Sequence, residues 1–104
     1  QRRDFVRLRQ TGQRIAVGSL VLNWKELPNN SLSRMAVITT KKLGPAIIRT
    51  RTRRLLRECF RVHQHALRQP VEMVMIARRS LVGCKYASVE KNYLAVMHEA
   101  KLIV

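Results

Sequence analysis

Acidic residues and cysteines are scarce in this sequence. Six aspartates and glutamates stand against 21 lysines and arginines, which gives the 104 residues a formal net charge of +15 at pH 7. The two cysteines, Cys59 and Cys84, are too few for a disulfide framework or a cysteine-based zinc site. We expect Cys59 to be a buried free thiol and predict a reducing, cytoplasmic location.

Long apolar runs are also lacking. None approaches the roughly 20 residues needed to span a bilayer, and no segment has the pattern of a signal peptide. We therefore expect no membrane partner. The printed sequence begins with glutamine, and we expect a few residues to precede it.

What the chain does contain is enough apolar sequence for a core, together with a large excess of arginine. Hydrophobic residues make up 46% of the chain, and its length fits one domain, residues 1–104. Arginine supplies 15 of the 21 basic residues, and its planar fork binds phosphates bidentately. This composition favours a folded protein that binds nucleic acid.

The hydrophobic pattern predicts six elements in the order helix, strand, strand, helix, strand, helix. They cover residues 4–9, 17–24, 35–40, 44–69, 72–77 and from about 88 onward, with a turn at 27–33. Gly44 is the expected N-cap of the long helix with Pro45 at its first position, and Ser88 the expected N-cap of the last helix. These elements predict an α+β fold: a small α/β sandwich with helices on one face of the sheet and the other face partly open.

Residues 41–61 carry the strongest functional signal. Eight of them are basic: Lys41, Lys42, Arg49, Arg51, Arg53, Arg54, Arg57 and Arg61. Arginines four residues apart form a ridge along a helix, and like charges at that spacing repel one another. Glu58 can offset part of the repulsion by pairing with Arg54 or Arg61. A solvated charged helix face is the ordinary interpretation of such a run, but its single sign and its arginine content favour a phosphate-binding surface.

The same residues resemble the signature of the bacterial ribonuclease P protein family. That signature reads SKK, an apolar residue, G-x-A-V-x-R-N-R, basic residues, an apolar pair and R-E-x-F-R, and residues 40–61 follow it in order. The family's first helix is similar to Asp4-Phe5 followed by Gly12, and its later strand is similar to residues 73–78. Thr50 stands where the signature has asparagine.

The resemblance implies a protein subunit of a ribonucleoprotein endoribonuclease. The partner RNA would hold the catalytic Mg²⁺ ions and remove the 5′ leader of precursor tRNA, while the protein would bind both RNAs without an obligate protein partner. The implied RNA-binding residues are Lys41, Lys42, Arg49, Thr50, Arg51, Arg53, Arg54, Arg57 and Arg61. The implied leader-binding residues are Phe5, Arg9, Val21, Asn23, Ile38 and Thr40.

Three alternatives compete with this interpretation. A protein enzyme is disfavoured because His63, His65 and His98 lack neighbours in sequence that would make a catalytic or metal site, so we expect exposed or edge-packed histidines and no catalytic residue. A non-enzymatic structural RNA-binding protein of the ribosomal type matches the composition equally well. A reader of double-stranded DNA would need a second short helix, of which there is little sign.

Overall fold

The structure, a computed structural model, describes residues 12–103. Four strands form one mixed sheet: β1 (Gln13–Val17), β2 (Leu20–Glu26), β3 (Arg34–Ile38) and β4 (Val71–Ala77). Their spatial order is β1-β2-β4-β3, with β3 and β4 parallel and the other two pairings antiparallel. The predicted helix at residues 4–9 lies outside the described residues.

Two helices pack on the sheet: α1 (Ala46–His63) and α2 (Tyr86–Glu99). α1 connects the parallel strands β3 and β4, which makes the predicted βαβ unit that carries the basic helix. The described architecture confirms the α+β sandwich with helices on one face of the sheet. No helix of the described residues is long and apolar enough to cross a membrane.

The core lies between the sheet and the two helices. Alternate residues of the central strands point into it, such as Leu20 and Leu22 of β2 and Met73 and Met75 of β4. α2 contributes Tyr93, which is fully buried in the same cluster. Buried apolar area of this kind stabilises the fold by about 25 cal/mol per Å².

The sequence interpretation placed one strand at residues 17–24, and this was wrong. The chain turns at Gly18 and Ser19, so this stretch divides between β1 and β2, which pair antiparallel. Gly18 has φ +56°, which favours glycine in a tight two-residue hairpin turn. β1 is largely exposed and therefore lacks the continuous apolar pattern of a central strand.

The predicted helix boundaries also need correction. Pro45, rather than Gly44, is the N-cap of α1, because Gly44 ends a short 3₁₀ turn, Lys41–Leu43, with φ +143°. α1 ends at His63 and not at residue 69. A second 3₁₀ turn, Gln64–Ala66, follows, after which Leu67 pairs with Ile103.

The last helix starts at Tyr86 with Lys85 as its N-cap, so Ser88 lies inside the helix. The backbone N–H of Ser88 donates to the carbonyl of Lys85. A serine in the first turn of a helix is compatible with helical geometry, and the predicted cap therefore lay three residues too late.

Candidate RNA interface

The basic face is built by α1 and the 3₁₀ turn that precedes it. The turn places Lys41 and Lys42 in solvent while Leu43 is buried in the core. Along α1, Thr52, Leu56 and Cys59 anchor the opposite side of the helix to the core. This anchoring directs Arg51, Arg54, Arg57 and Arg61 to solvent.

The ridge of arginines four residues apart winds around α1 rather than staying on one side. Rows of this spacing are inclined to a helix axis, so successive members drift sideways. Arg49 and Arg53 are therefore half-buried, whereas Arg57 and Arg61 are exposed. Within the described residues, Nε of Arg49 is buried without a hydrogen-bond partner. The sequence predicted the ridge but not this division.

Arg53 is held in place by two threonines. Its Nη1 donates to Oγ1 of Thr39 at 2.6 Å and its Nη2 donates to Oγ1 of Thr50 at 3.2 Å. Thr50 therefore positions an arginine within this structure. Thr39 was missed by the sequence interpretation, because an isolated threonine at a strand end gives no signal of its partner.

Arg51 points to the other flank of α1. Its Nη2 donates to the backbone carbonyl of Cys84, at 3.0 Å, in the loop before α2. The guanidinium keeps further N–H donors, since one hydrogen bond uses only part of its fork. Backbone acceptors cannot be recognised from sequence, so this contact was not predicted.

Carboxylates are nearly absent from the basic face. Glu58 accepts two hydrogen bonds from Arg61, at 2.8 and 2.6 Å, which confirms one of its two predicted partners. This contact lowers the pKa of Glu58 and raises that of Arg61. Across residues 12–103, seven cations of the face have no carboxylate within 4.0 Å: Lys41, Lys42, Arg49, Arg51, Arg53, Arg54 and Arg57.

A second surface lies on the sheet face opposite the helices. Strand register aligns Ala16, Val21, Ile76 and Ile38 in one row across all four strands. The neighbouring row contains Arg14, Asn23, Val74 and Ala36. The structure thus places Val21, Asn23 and Ile38 on one face, as the sequence interpretation required, and adds Ile76 between them.

Accessibility differs strongly along this sheet face. Val21 and Asn23 are only 4% and 2% exposed, while Ile38 is half-buried and Ala36 is exposed. Nδ2 of Asn23 has no hydrogen-bond partner among the described residues. Thr40, two residues beyond β3, is exposed and makes no side-chain cap to the 3₁₀ turn. Phe5 and Arg9 lie outside the described residues.

The histidines do not form a catalytic or metal centre in the described structure. His65 and His98 are exposed, while His63 is half-buried at the junction of α1 and α2. There Nε2 of His63 lies 2.7 Å from Oε2 of Glu90, a partner 27 residues away that the sequence did not indicate. No group of three or more His, Cys, Asp or Glu side chains in residues 12–103 is placed to hold a metal ion.

A two-layer α/β sandwich that presents seven cations with no carboxylate partner among residues 12–103 has the surface of a domain that binds a polyanion. Comparisons with known proteins narrow this class. The family model described as Ribonuclease P matches residues 1–101. A ribonuclease P protein component from Syntrophomonas wolfei is 32% identical over 102 residues, which cover 96% of this chain and 83% of that protein. The corresponding protein of Dehalococcoides mccartyi is 36% identical over 88 residues, covering 84% and 71%.

Solved structures agree on the fold. The RNase P protein of Staphylococcus aureus superposes with a TM-score of 0.90 at 24% identity, covering 100% of this chain and 94% of that chain. The RNase P protein of Thermotoga maritima gives a TM-score of 0.83 at 21% identity, with coverages of 94% and 92%.

This chain belongs to the ribonuclease P protein family. It is a protein component of that ribonucleoprotein endoribonuclease, with the ribonuclease P RNA as its partner. The family assignment confirms the resemblance found in residues 40–61. It supports a protein subunit of ribonuclease P rather than a structural RNA-binding protein of the ribosomal type.

Proposed function

We propose that the protein binds the ribonuclease P RNA through the basic face of α1 and holds the 5′ leader of precursor tRNA on the open face of its sheet. By doing so it promotes removal of the leader, while the RNA carries out the hydrolysis. The observation that carries this proposal is the set of seven cations that have no carboxylate partner in the described structure.

Phosphates suit this face better than any other anion. Arginines of α1 follow one another at intervals of four residues, about 6 Å along the helix axis, so several can contact a continuous phosphate backbone at once. Lys41 and Lys42 extend the positive surface beyond the start of α1. Neutralising about six phosphates would give log affinity a slope of roughly −4 to −5 against log salt concentration.

The open sheet face offers a chemically different surface, which supports a role with single-stranded RNA. In the apolar row across the sheet, Ile38 and Ile76 are half-buried and can contact base or ribose faces, whereas Val21 is only 4% exposed. The exposed hydroxyl of Thr40 adds a hydrogen-bonding group. Val21 and Asn23 stay proposed leader-binding residues because of the sequence resemblance. We retain Phe5 and Arg9 as proposed leader-binding residues on the strength of the sequence resemblance.

Mg²⁺ enters this proposal as an ion held by the RNAs. With a net charge of +15, the protein repels a divalent cation and can instead replace part of the counterion charge that a folded RNA needs. We therefore expect the protein to lower the Mg²⁺ concentration required for cleavage. Because both thiols are free, we also propose a reducing, cytoplasmic location.

The decisive experiment measures cleavage of precursor tRNA by a bacterial ribonuclease P RNA at low Mg²⁺, with and without the protein. We expect protein-dependent release of the 5′ leader. Failure to stimulate cleavage across several bacterial ribonuclease P RNAs would contradict the proposal.

The leader site is tested separately with two alanine-to-glutamate variants. Ala36→Glu adds a negative charge to the open sheet face, whereas Ala95→Glu adds the same charge to the exposed side of α2. We expect Ala36→Glu to reduce the preference for precursor over mature tRNA, because the charge repels leader phosphates. Equal behaviour of both variants would place the leader elsewhere.

A further inference from the structure

An exposed isoleucine lies within the basic face. Ile47, in the first turn of α1, is 79% exposed, which makes it one of three large apolar side chains with substantial exposure in the described structure. Single exposed apolar residues are common on protein surfaces. Ile47 differs because it borders the cations proposed to bind phosphate, where an apolar group contributes nothing to charge neutralisation.

The surroundings of Ile47 form a shallow groove along α1. The groove has a volume of about 610 Å³ and is lined by Ile47, Thr50, Arg51, Arg54 and Leu55. Ile47 and Leu55 supply its apolar ends, about 12 Å apart along the axis at the rise of an α-helix. Leu55 also packs against the core, so this end of the groove is rigid.

Two hydrogen bonds fix side chains that line the groove. Arg51 is drawn toward the loop before α2 by its hydrogen bond to the Cys84 carbonyl. On the other side, the hydroxyl of Thr50, which also lines the groove, accepts a hydrogen bond from Nη2 of Arg53 at 3.2 Å. The side chains of Arg51 and Arg54 thus share the lining of the groove with Ile47 and Leu55.

The chemistry of the groove restricts its occupant. Phosphate suits Arg51 and Arg54 but gains nothing from Ile47 and Leu55. A second copy of the chain would bring arginines of like charge together in a protein of net charge +15, which opposes self-association through this surface. An unstacked nucleotide fits both parts, since its base presents a flat apolar face and its phosphates are anionic.

We propose that this groove receives one unstacked nucleotide of the ribonuclease P RNA, with its base against Ile47, its ribose toward Leu55 and the adjoining phosphates on Arg51 and Arg54. This inference rests on the proposed RNA docking through α1 and adds a contact that depends on RNA secondary structure. A regular duplex keeps its bases stacked inside, so the groove favours a bulge, loop or junction. Ile47 thereby gives the basic face a preference for RNA with unpaired bases over a regular duplex, which charge alone does not supply.

The test compares Ile47→Ala with Leu32→Ala in titrations of a bacterial ribonuclease P RNA at several salt concentrations. Leu32 is the matched control, because it is 87% exposed and lies in the loop before β3. We expect Ile47→Ala to weaken binding by about three- to tenfold, as the loss of an apolar contact implies, with an unchanged salt slope. Leu32→Ala should bind within twofold of the unmodified protein.

Two further measurements identify the occupant. Chemical probing of base edges in the complex should show one unpaired base that is protected by the unmodified protein and exposed with Ile47→Ala. Ile47→Phe should keep or strengthen binding, because an aromatic face stacks on a base. Alanine favours helix more than isoleucine does, so Ile47→Ala leaves α1 intact.

The inference is overturned if Ile47→Ala binds the RNA as tightly as Leu32→Ala does. It is also overturned if the substitution changes the slope of log affinity against log salt, or if it alters only self-association of the protein. These outcomes leave the docking of α1 on RNA standing. Absence of salt-dependent RNA binding by the unmodified protein would instead overturn the docking proposal and this inference together.

Discussion

Arg53, in the second turn of α1, donates a hydrogen bond of 2.6 Å from Nη1 to Oγ1 of Thr39, the residue that follows β3. The contact joins the basic helix to the end of a sheet strand. It also holds one guanidinium half-buried at the border between the basic face and the sheet. The position of Arg53 therefore depends on the packing of α1 against β3.

We expect Thr39→Val to lower the free energy of unfolding by about 0.5–1.5 kcal/mol, since it removes one hydrogen bond from the half-buried Arg53, whose guanidinium water can still reach, and changes the side-chain volume little. Urea denaturation monitored by circular dichroism measures this change. Thr40→Val is the matched control, because Thr40 is exposed and makes no side-chain cap. Equal stability of the two variants would show that the Thr39 contact contributes nothing.

Arg57 provides the clearest test of phosphate binding by α1. Its side chain is exposed and forms no salt bridge in the described structure. We expect Arg57→Ala to leave stability within about 0.5 kcal/mol and to reduce the magnitude of the salt slope of RNA binding by about 1. Binding isotherms at four or more salt concentrations measure the slope.

Arg68→Ala is the control for that experiment. Arg68 is also exposed, but it follows the second 3₁₀ turn and lies outside the basic face. An identical loss of slope in both variants would indicate diffuse attraction to the whole protein rather than docking through α1.

Burial of Cys59 makes stability depend on pH in the alkaline range. Desolvation raises the pKa of its thiol to about 11, from 9.0 for an exposed cysteine. Above pH 9 the unfolded chain therefore releases this proton while the folded protein retains it, so stability falls as pH rises from 9 to 11. We expect Cys59→Ala to reduce this pH dependence between pH 9 and 10, and Cys84→Ala to preserve it, as measured by urea denaturation.

The same burial predicts a difference in thiol reactivity. At pH 8 we expect iodoacetamide to modify the half-buried Cys84 at least tenfold faster than the fully buried Cys59. Mass spectrometry of the alkylated peptides separates the two sites. Equal rates would mean that Cys59 is accessible in solution.

Gly18 allows a test of the β1–β2 hairpin, which the sequence interpretation missed. Its φ of +56° is unfavourable for other residues, and an added Cβ would lie 2.9 Å from Oδ1 of Asn92 on α2. We expect Gly18→Ala to destabilise the protein by about 1–3 kcal/mol. Thermal unfolding measures the effect.

Gly83→Ala serves as its control. Gly83 also has a positive φ, +80°, but an added Cβ there would meet nothing within 4 Å. Its substitution therefore reports backbone strain alone, and the additional loss in Gly18→Ala reports the contact with Asn92. A smaller loss for Gly18→Ala than for Gly83→Ala would contradict this account.

The elements with strong apolar patterns were predicted correctly, because such a pattern reflects which side of one helix or strand is buried. The apolar stripe of residues 48–66 identified α1, and the nearly continuous apolar run at 72–77 identified β4, which is central in the sheet. The exposed strand β1 has no such stripe, and its separation from β2 depends on two residues, Gly18 and Ser19. The predicted ends of α1 were also wrong. Gly44 ends a 3₁₀ turn instead of capping the helix, and Leu67 pairs with Ile103 instead of continuing it.

The sequence by itself determined the composition of the binding surface: a basic run, dominated by arginine, on a helix whose other side is apolar. Charge and periodicity are local properties, so they can be read without knowing the fold. Only the tertiary structure decided which of those arginines are free. It attached Arg53 to Thr39, Arg51 to the Cys84 carbonyl and Arg61 to Glu58, and it left Arg54 and Arg57 in solvent. Except for the Arg61–Glu58 pair on α1, these contacts join separate elements, and their distances follow from packing rather than from spacing along the chain.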